Sequence, residues 1–90
     1  IDNAQYWLSE SYYASNQFEQ ALSQFNKVVY DYPRSRKIPD ALLKIGYCNY
    51  ELENWDQARL VLNRIQNEYP QSTVAKLAEQ RIKVMNSRGL

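Results

Sequence analysis

Histidine is absent from this chain and cysteine occurs once, at Cys48. A His/Cys metal cluster, a Cys-His nucleophile and an internal disulfide are therefore all excluded. Cys48 lies in a helical stretch and reads as a small packed side chain. No apolar run approaches the roughly 20 residues that a membrane helix needs, so direct membrane insertion is not expected. Eleven Lys and Arg offset ten Asp and Glu, and the net charge of +1 lacks the broad positive field that drives nucleic-acid binding. The one basic cluster, Arg34, Arg36 and Lys37, falls in a connector and reads as solvated surface. Carboxylate pairs such as Glu51 and Glu53 flank a turn without a pocket signature, so no enzymatic activity, metal or cofactor is expected. With two glycines and three prolines there is no flexible linker, and 90 residues make one small domain.

What the chain does have is helical periodicity, centred on the stretch from Pro39 to Leu52. Ala41, Leu42, Ile45, Cys48 and Leu52 follow one stripe, and Leu43, Tyr47 and Tyr50 form a second. One packed neighbour cannot bury both, so one face is expected in the core and the other to bind. Shifting the sequence by 37 positions pairs Ala4 with Ala41, Tyr13 with Tyr50, Ala21 with Ala58, Asn26 with Asn63, Pro33 with Pro70 and Ser35 with Ser72. Similar residues fill the gaps: Leu8 with Ile45, Ser9 with Gly46, Phe18 with Trp55, Phe25 with Leu62. A duplication of this period marks a solenoid in which each unit buries its apolar face on the next.

The expected architecture is all-α: two helix-turn-helix repeats and a C-terminal helix, five antiparallel helices in one domain. The first unit spans 1–37 and the second 38–73, followed by a capping helix and tail over 74–90. The first helix is read from Ile1 to about Ser15, started by Asp2 or Asn3, with Ala4, Leu8 and Tyr12 on one side. Pro33 and Pro70 stop the long second helices, and Pro39 fits the first turn of the third. Ser72 is a cap for the last helix, and Ser87 to Leu90 are expected to fray. Ala21 and Ala58 are placed where paired helices approach closely. Gly46 costs about 1 kcal/mol within a helix, a cost that close contact with the facing helix would offset.

The framework Leu8, Ser9, Tyr12, Phe18, Ala21, Phe25, Val28, Pro33, then Ile45, Gly46, Asn49, Trp55, Ala58, Leu62, Ile65, Pro70, resembles the tetratricopeptide (TPR) signature in two registered copies. Ser9 replaces the usual glycine and Asn49 the usual tyrosine, which should loosen local packing. A closer resemblance runs through Asn3-Ala4-Gln5-Tyr6-Trp7-Leu8-Ser9-Glu10-Ser11-Tyr12-Tyr13-Ala14, Tyr32-Pro33-Arg34-Ser35, Pro39 to Tyr47 and Ala78-Glu79-Gln80-Arg81-Ile82. These phrases are similar to the C-terminal TPR domain of the YbgF/CpoB family, Tol-Pal-associated periplasmic proteins of Gram-negative bacteria. The chain opens at Ile1 without a signal peptide or the family's N-terminal coiled coil, as expected of a piece trimmed from something longer.

That resemblance implies a non-enzymatic periplasmic adaptor. Its implied partners are TolA and a bifunctional peptidoglycan synthase (a penicillin-binding protein), and its implied role is to coordinate outer-membrane constriction with septal peptidoglycan synthesis in cell division. A BamD-type outer-membrane protein assembly component is the alternative within the repeat class. A self-stacking structural module, driven by an uncovered Trp7, is another. In stacked TPR units the first helix of each pair lines a groove, which places Asn3, Tyr6, Glu10, Tyr13, Asp40, Leu43, Tyr47, Tyr50 and Glu51 there. The four tyrosines are open to two roles, groove contacts or inter-helix packing with wet hydroxyls. The carboxylate clamp of chaperone-binding relatives is not reproduced, its positions reading Tyr6, Glu10, Leu43, Lys44 and Tyr47. Lys44 and Arg81 are either solvated surface or partners for an acidic residue.

Overall fold

In a computed structural model, residues 2–90 are described and form five helices: α1 (Asp2–Ala14), α2 (Phe18–Asp31), α3 (Ile38–Glu51), α4 (Trp55–Glu68) and α5 (Thr73–Ser87). Ile1, the expected start of the first helix, lies outside the described residues. Among those residues there is no strand, and no helix is long and apolar enough to cross a membrane. Turns of three residues fold α2 back on α1 and α4 back on α3. The pairs then stack, α2 against α3 and α4 against α5, with α3 also touching α5. This is the expected all-α solenoid.

The turns repeat atom for atom in kind. Gln17 N–H reaches back to Tyr12 O (2.9 Å) and Asn16 N–H to Tyr13 O (3.0 Å). In the second unit Asn54 N–H bonds Asn49 O (2.8 Å) and Glu53 N–H bonds Tyr50 O (3.1 Å). These paired bonds satisfy helix-end carbonyls and require a left-handed residue between them, filled by Asn16 (φ 62°) and Glu53 (φ 63°). A third such end closes α5, where Gly89 (φ 72°) lets Leu90 N–H bond Met85 O at 2.9 Å. Arg59 on α4 also donates to the Leu90 oxygen, its Nε at 3.1 Å. The tail expected to fray is therefore tied to the last helix and to its neighbour.

The other boundaries follow the local chemistry. Pro39 sits in the first turn of α3, where a backbone N–H would have no partner. Ser72 Oγ accepts from Ala75 N–H at 3.1 Å and caps α5. α2 and α4 end at Asp31 and Glu68, two residues before Pro33 and Pro70.

The core is built from the periodic stripes. Phe25, Val28, Leu62, Ile65, Ala78 and Met85 are fully buried, as are Ala21 and Ala58, where a larger side chain would hold the paired helices apart. Gly46 is a point of closest approach: a Cβ there would lie 2.7 Å from Leu62 Cδ2 and 3.0 Å from its Cγ. The two departures from the usual pattern do not loosen the packing. Ser9 is buried with its hydroxyl donated to Gln5 O at 2.8 Å. Asn49, also buried, donates to Ile45 O (3.0 Å) and accepts from Asn54 Nδ2 (3.3 Å). Both side chains are satisfied within their own helix and turn, which offsets the desolvation cost.

Leu8 is the framework residue that departs from expectation. Its counterpart Ile45 is buried in the core and Ile82 packs against it, whereas Leu8 is 46% exposed, with Ala4 exposed beside it and Trp7 59% exposed. Periodicity marks Leu8 as inward, but among the described residues no second-type helix covers α1 on the side where α2 covers α3.

Candidate protein-binding face

α1, α3 and α5 are the first helices of successive pairs and share one side of the stack. Tyr13 and Tyr50, 37 residues apart, occupy matching places on it. Tyr13 meets Phe18 edge-on, with centroids 5.4 Å apart, and Tyr50 meets Trp55 in the same way at 5.3 Å. In each case the partner opens the second helix of the pair, so the ring bolts the pair together. Its outer side receives a cation from the next first helix: Lys44 Nζ lies 4.3 Å from the Tyr13 centroid and Arg81 Cζ lies 4.7 Å from that of Tyr50. Lys44 and Arg81 are likewise 37 apart, so the whole aromatic-cation device is duplicated.

The two copies differ in one feature. In the first, Glu10 pairs with Lys44 (3.1 Å), both side chains about three-quarters buried. Glu10 Oε1 is sealed from solvent, and Lys44 holds it by charge without an aligned hydrogen bond. In the second copy Tyr47 stands in the place of Glu10, and Arg81 Cζ lies 4.1 Å from its ring centroid. Arg88 reaches the same place from the end of α5, donating to the Tyr50 hydroxyl.

The expected groove residues divide into two groups. Tyr13, Tyr47, Tyr50, Glu10 and Asp40 are partly exposed, and Asn3 and Glu51 are exposed. Tyr6 and Leu43 are buried, 7% and 4% exposed, and are packing residues. Tyr6 turns inward because its ring meets Phe25 of α2 edge-on at 5.6 Å, and Lys37 covers it at 5.1 Å from the centroid. Leu43 joins the core because α3 is enclosed by α2, α4 and α5. Tyr13, Tyr47 and Tyr50 pack against the core through one part of the ring and remain partly exposed, so inter-helix packing accounts for only part of each ring.

Burial sets the protonation of this face. Desolvation raises the Tyr6, Tyr13 and Tyr47 hydroxyls above their ordinary range, so all three stay neutral donors. Burial also pushes the Cys48 thiol up to about 12, which leaves it protonated and unreactive. Lys37 and Arg88 escaped attention in the sequence, one within a solvated-looking basic run and the other in an expected frayed tail. The stacking of Lys44 and Arg81 was detectable, since their spacing matches that of Tyr13 and Tyr50.

Helix pairs stacked in register, with the first helices sharing a tyrosine-lined face, define a solenoid-type protein-interaction module. The tetratricopeptide repeat family model matches residues 3–35 and 40–72, and the chain belongs to that family. Comparison with curated proteins found none that matches.

Proposed function

We propose that this chain is an adaptor that binds a segment of another protein along the face shared by α1, α3 and α5. The duplicated Tyr13–Lys44 and Tyr50–Arg81 device carries this assignment. It presents partly exposed, conformationally restrained aromatic rings beside cations, a surface that gives contact area at little entropic cost. The sequence phrases quoted above support TolA as the partner, with a bifunctional peptidoglycan synthase as a second, a periplasmic location, and a role in coordinating outer-membrane constriction with septal wall synthesis. An NMR titration of the labelled chain with the periplasmic part of TolA tests this. Shifts gathered on Tyr13, Tyr47 and Tyr50 are expected; shifts confined to the second helices, around the exposed Tyr30 of α2 and Leu60 of α4, overturn the site assignment, and no shifts overturn TolA as the partner.

A second role, self-association, is favoured by the exposed Trp7 and Leu8 on α1. The matching faces of α3 and α5 are each covered by a helix, so this surface has the form of a repeat interface. Sedimentation across a concentration series decides it, a strict monomer removing this role.

A further inference from the structure

Internal duplication makes the chain its own reference, and against it one group is missing. In the first unit, the cation over the tyrosine has a carboxylate, Glu10, 3.1 Å from Lys44 Nζ. In the second, Arg81 occupies the matching place, but the position of Glu10 is taken by Tyr47. Among the described residues the Arg81 guanidinium forms no ion pair or hydrogen bond: the two ion pairs there are Lys44–Glu10 and Arg64–Glu68. Glu51 of α3 and Glu79 of α5, the acidic side chains nearest in sequence to this contact on its two helices, are both exposed and unpaired with it. Arg81 is nevertheless partly buried and held over the Tyr47 and Tyr50 rings at 4.1 and 4.7 Å. Stacking on a ring leaves the edge of the guanidinium, with its fork of N–H donors, directed away from the π faces. A cation held against two rings, partly desolvated and without an ion-pair partner is prepared for a bidentate acceptor.

We propose that Arg81, steadied by Tyr47 and Tyr50, is the receptor for an Asp or Glu side chain of the bound protein segment, which supplies in the second unit the carboxylate that Glu10 supplies in the first. This rests on the binding-face assignment above and adds the chemistry of the occupant: an acidic segment. Arg88, which donates to the Tyr50 hydroxyl, adds a second positive charge beside it.

The test uses the 90-residue chain and two blocked peptides of Ala, Leu and Glu, identical except that the second has Gln at every Glu. At low salt the Glu peptide is expected to bind about tenfold more tightly than the Gln peptide, the gain of one charge-assisted pair. Arg81→Gln should abolish the difference between the two peptides, and Arg81→Lys should restore only part of it, since an ammonium lacks the fork. Amide shifts at Tyr47, Tyr50 and Arg81 locate the contact, and circular dichroism verifies that each variant is folded. Equal affinity for the two peptides, a preference that survives Arg81→Gln, or no binding of either peptide overturns the receptor. Binding of both peptides on the tyrosine face with equal affinity would remove the receptor alone, while the TolA titration separately decides the face.

Discussion

Gly46 of α3 faces Leu62 of α4 so closely that a Cβ at Gly46 would fall 2.7 Å from Leu62 Cδ2. Gly46→Ala gains about 1 kcal/mol of helix propensity but overpacks a buried contact, typically costing 1–3 kcal/mol. A net loss of about 1 kcal/mol is expected by urea denaturation. In a Leu62→Ala background the clash is gone, so the same change should become stabilising by up to about 1 kcal/mol. Equal effects in both backgrounds would refute the contact.

Glu53 holds a left-handed conformation (φ 63°) so that Asn54 N–H can close the end of α3. That conformation costs a side-chain-bearing residue roughly 1–2 kcal/mol, and glycine escapes it at an unfolded-state cost of about 0.5–1 kcal/mol. Glu53→Gly should therefore stabilise the chain by about 0.5–1 kcal/mol. Asn16→Gly should gain less, because asparagine tolerates the region. A lowered melting temperature for Glu53→Gly would count against the turn geometry.

Alkaline pH should unfold the chain through its core. Burial lifts the Cys48 thiol from an ordinary 9.0 to about 12. A group with a raised folded pKa contributes stability that is complete below its unfolded value and is lost as pH rises through the window from 9 to 12. The raised Tyr6, Tyr13 and Tyr47 hydroxyls add to the loss once their unfolded counterparts ionise near 10.0. Unfolding free energy should be level through neutral pH and fall above about pH 9, and Cys48→Ala should make that fall shallower by up to about 1.4 kcal/mol per pH unit, one proton's worth. An identical slope in the variant would show that Cys48 is accessible.

The helices, their pairing and the two-fold register were legible because each rests on local pattern: three-and-four spacing, Pro stops, and matched turns. Leu8 was misplaced because pattern shows that a residue is apolar, whereas burial depends on which helix lies opposite. Tyr6 and Leu43 were assigned outward because the family's groove is carried by the first helices, yet Phe25 and the enclosure of α3 draw them in. Ser9 and Asn49 looked like packing faults, but their hydrogen bonds to Gln5 O and Ile45 O are made within the helix. The tied tail depended on Arg59, 31 residues away, a contact that no local pattern encodes.

Trp7 and Leu8 should govern self-association. If α1 pairs with a second copy, Leu8→Glu places a charge in the apolar contact and should return the chain to monomer at concentrations where the parent associates, as read by sedimentation. Because Leu8 is 46% exposed, the melting temperature of the monomer should hardly change. Association that persists in Leu8→Glu would move the contact away from this face.

Binding and folding should separate at the tyrosines. Tyr50 braces Trp55, with centroids 5.3 Å apart, so Tyr50→Ala will cost stability as well as affinity and cannot by itself identify a contact. Tyr47 has no ring partner of that kind on α4 and meets the Arg81 guanidinium at 4.1 Å. Tyr47→Ala should therefore lower affinity for a bound segment by about tenfold, the loss of one aromatic anchor, while helical circular dichroism persists. Tyr50→Phe keeps the brace and removes only the acceptor for Arg88, so a loss of about twofold to fivefold is expected from the weakened positioning of that charge. Calorimetric titration with the periplasmic part of TolA measures both, and undiminished affinity in Tyr47→Ala would place the partner elsewhere on the solenoid.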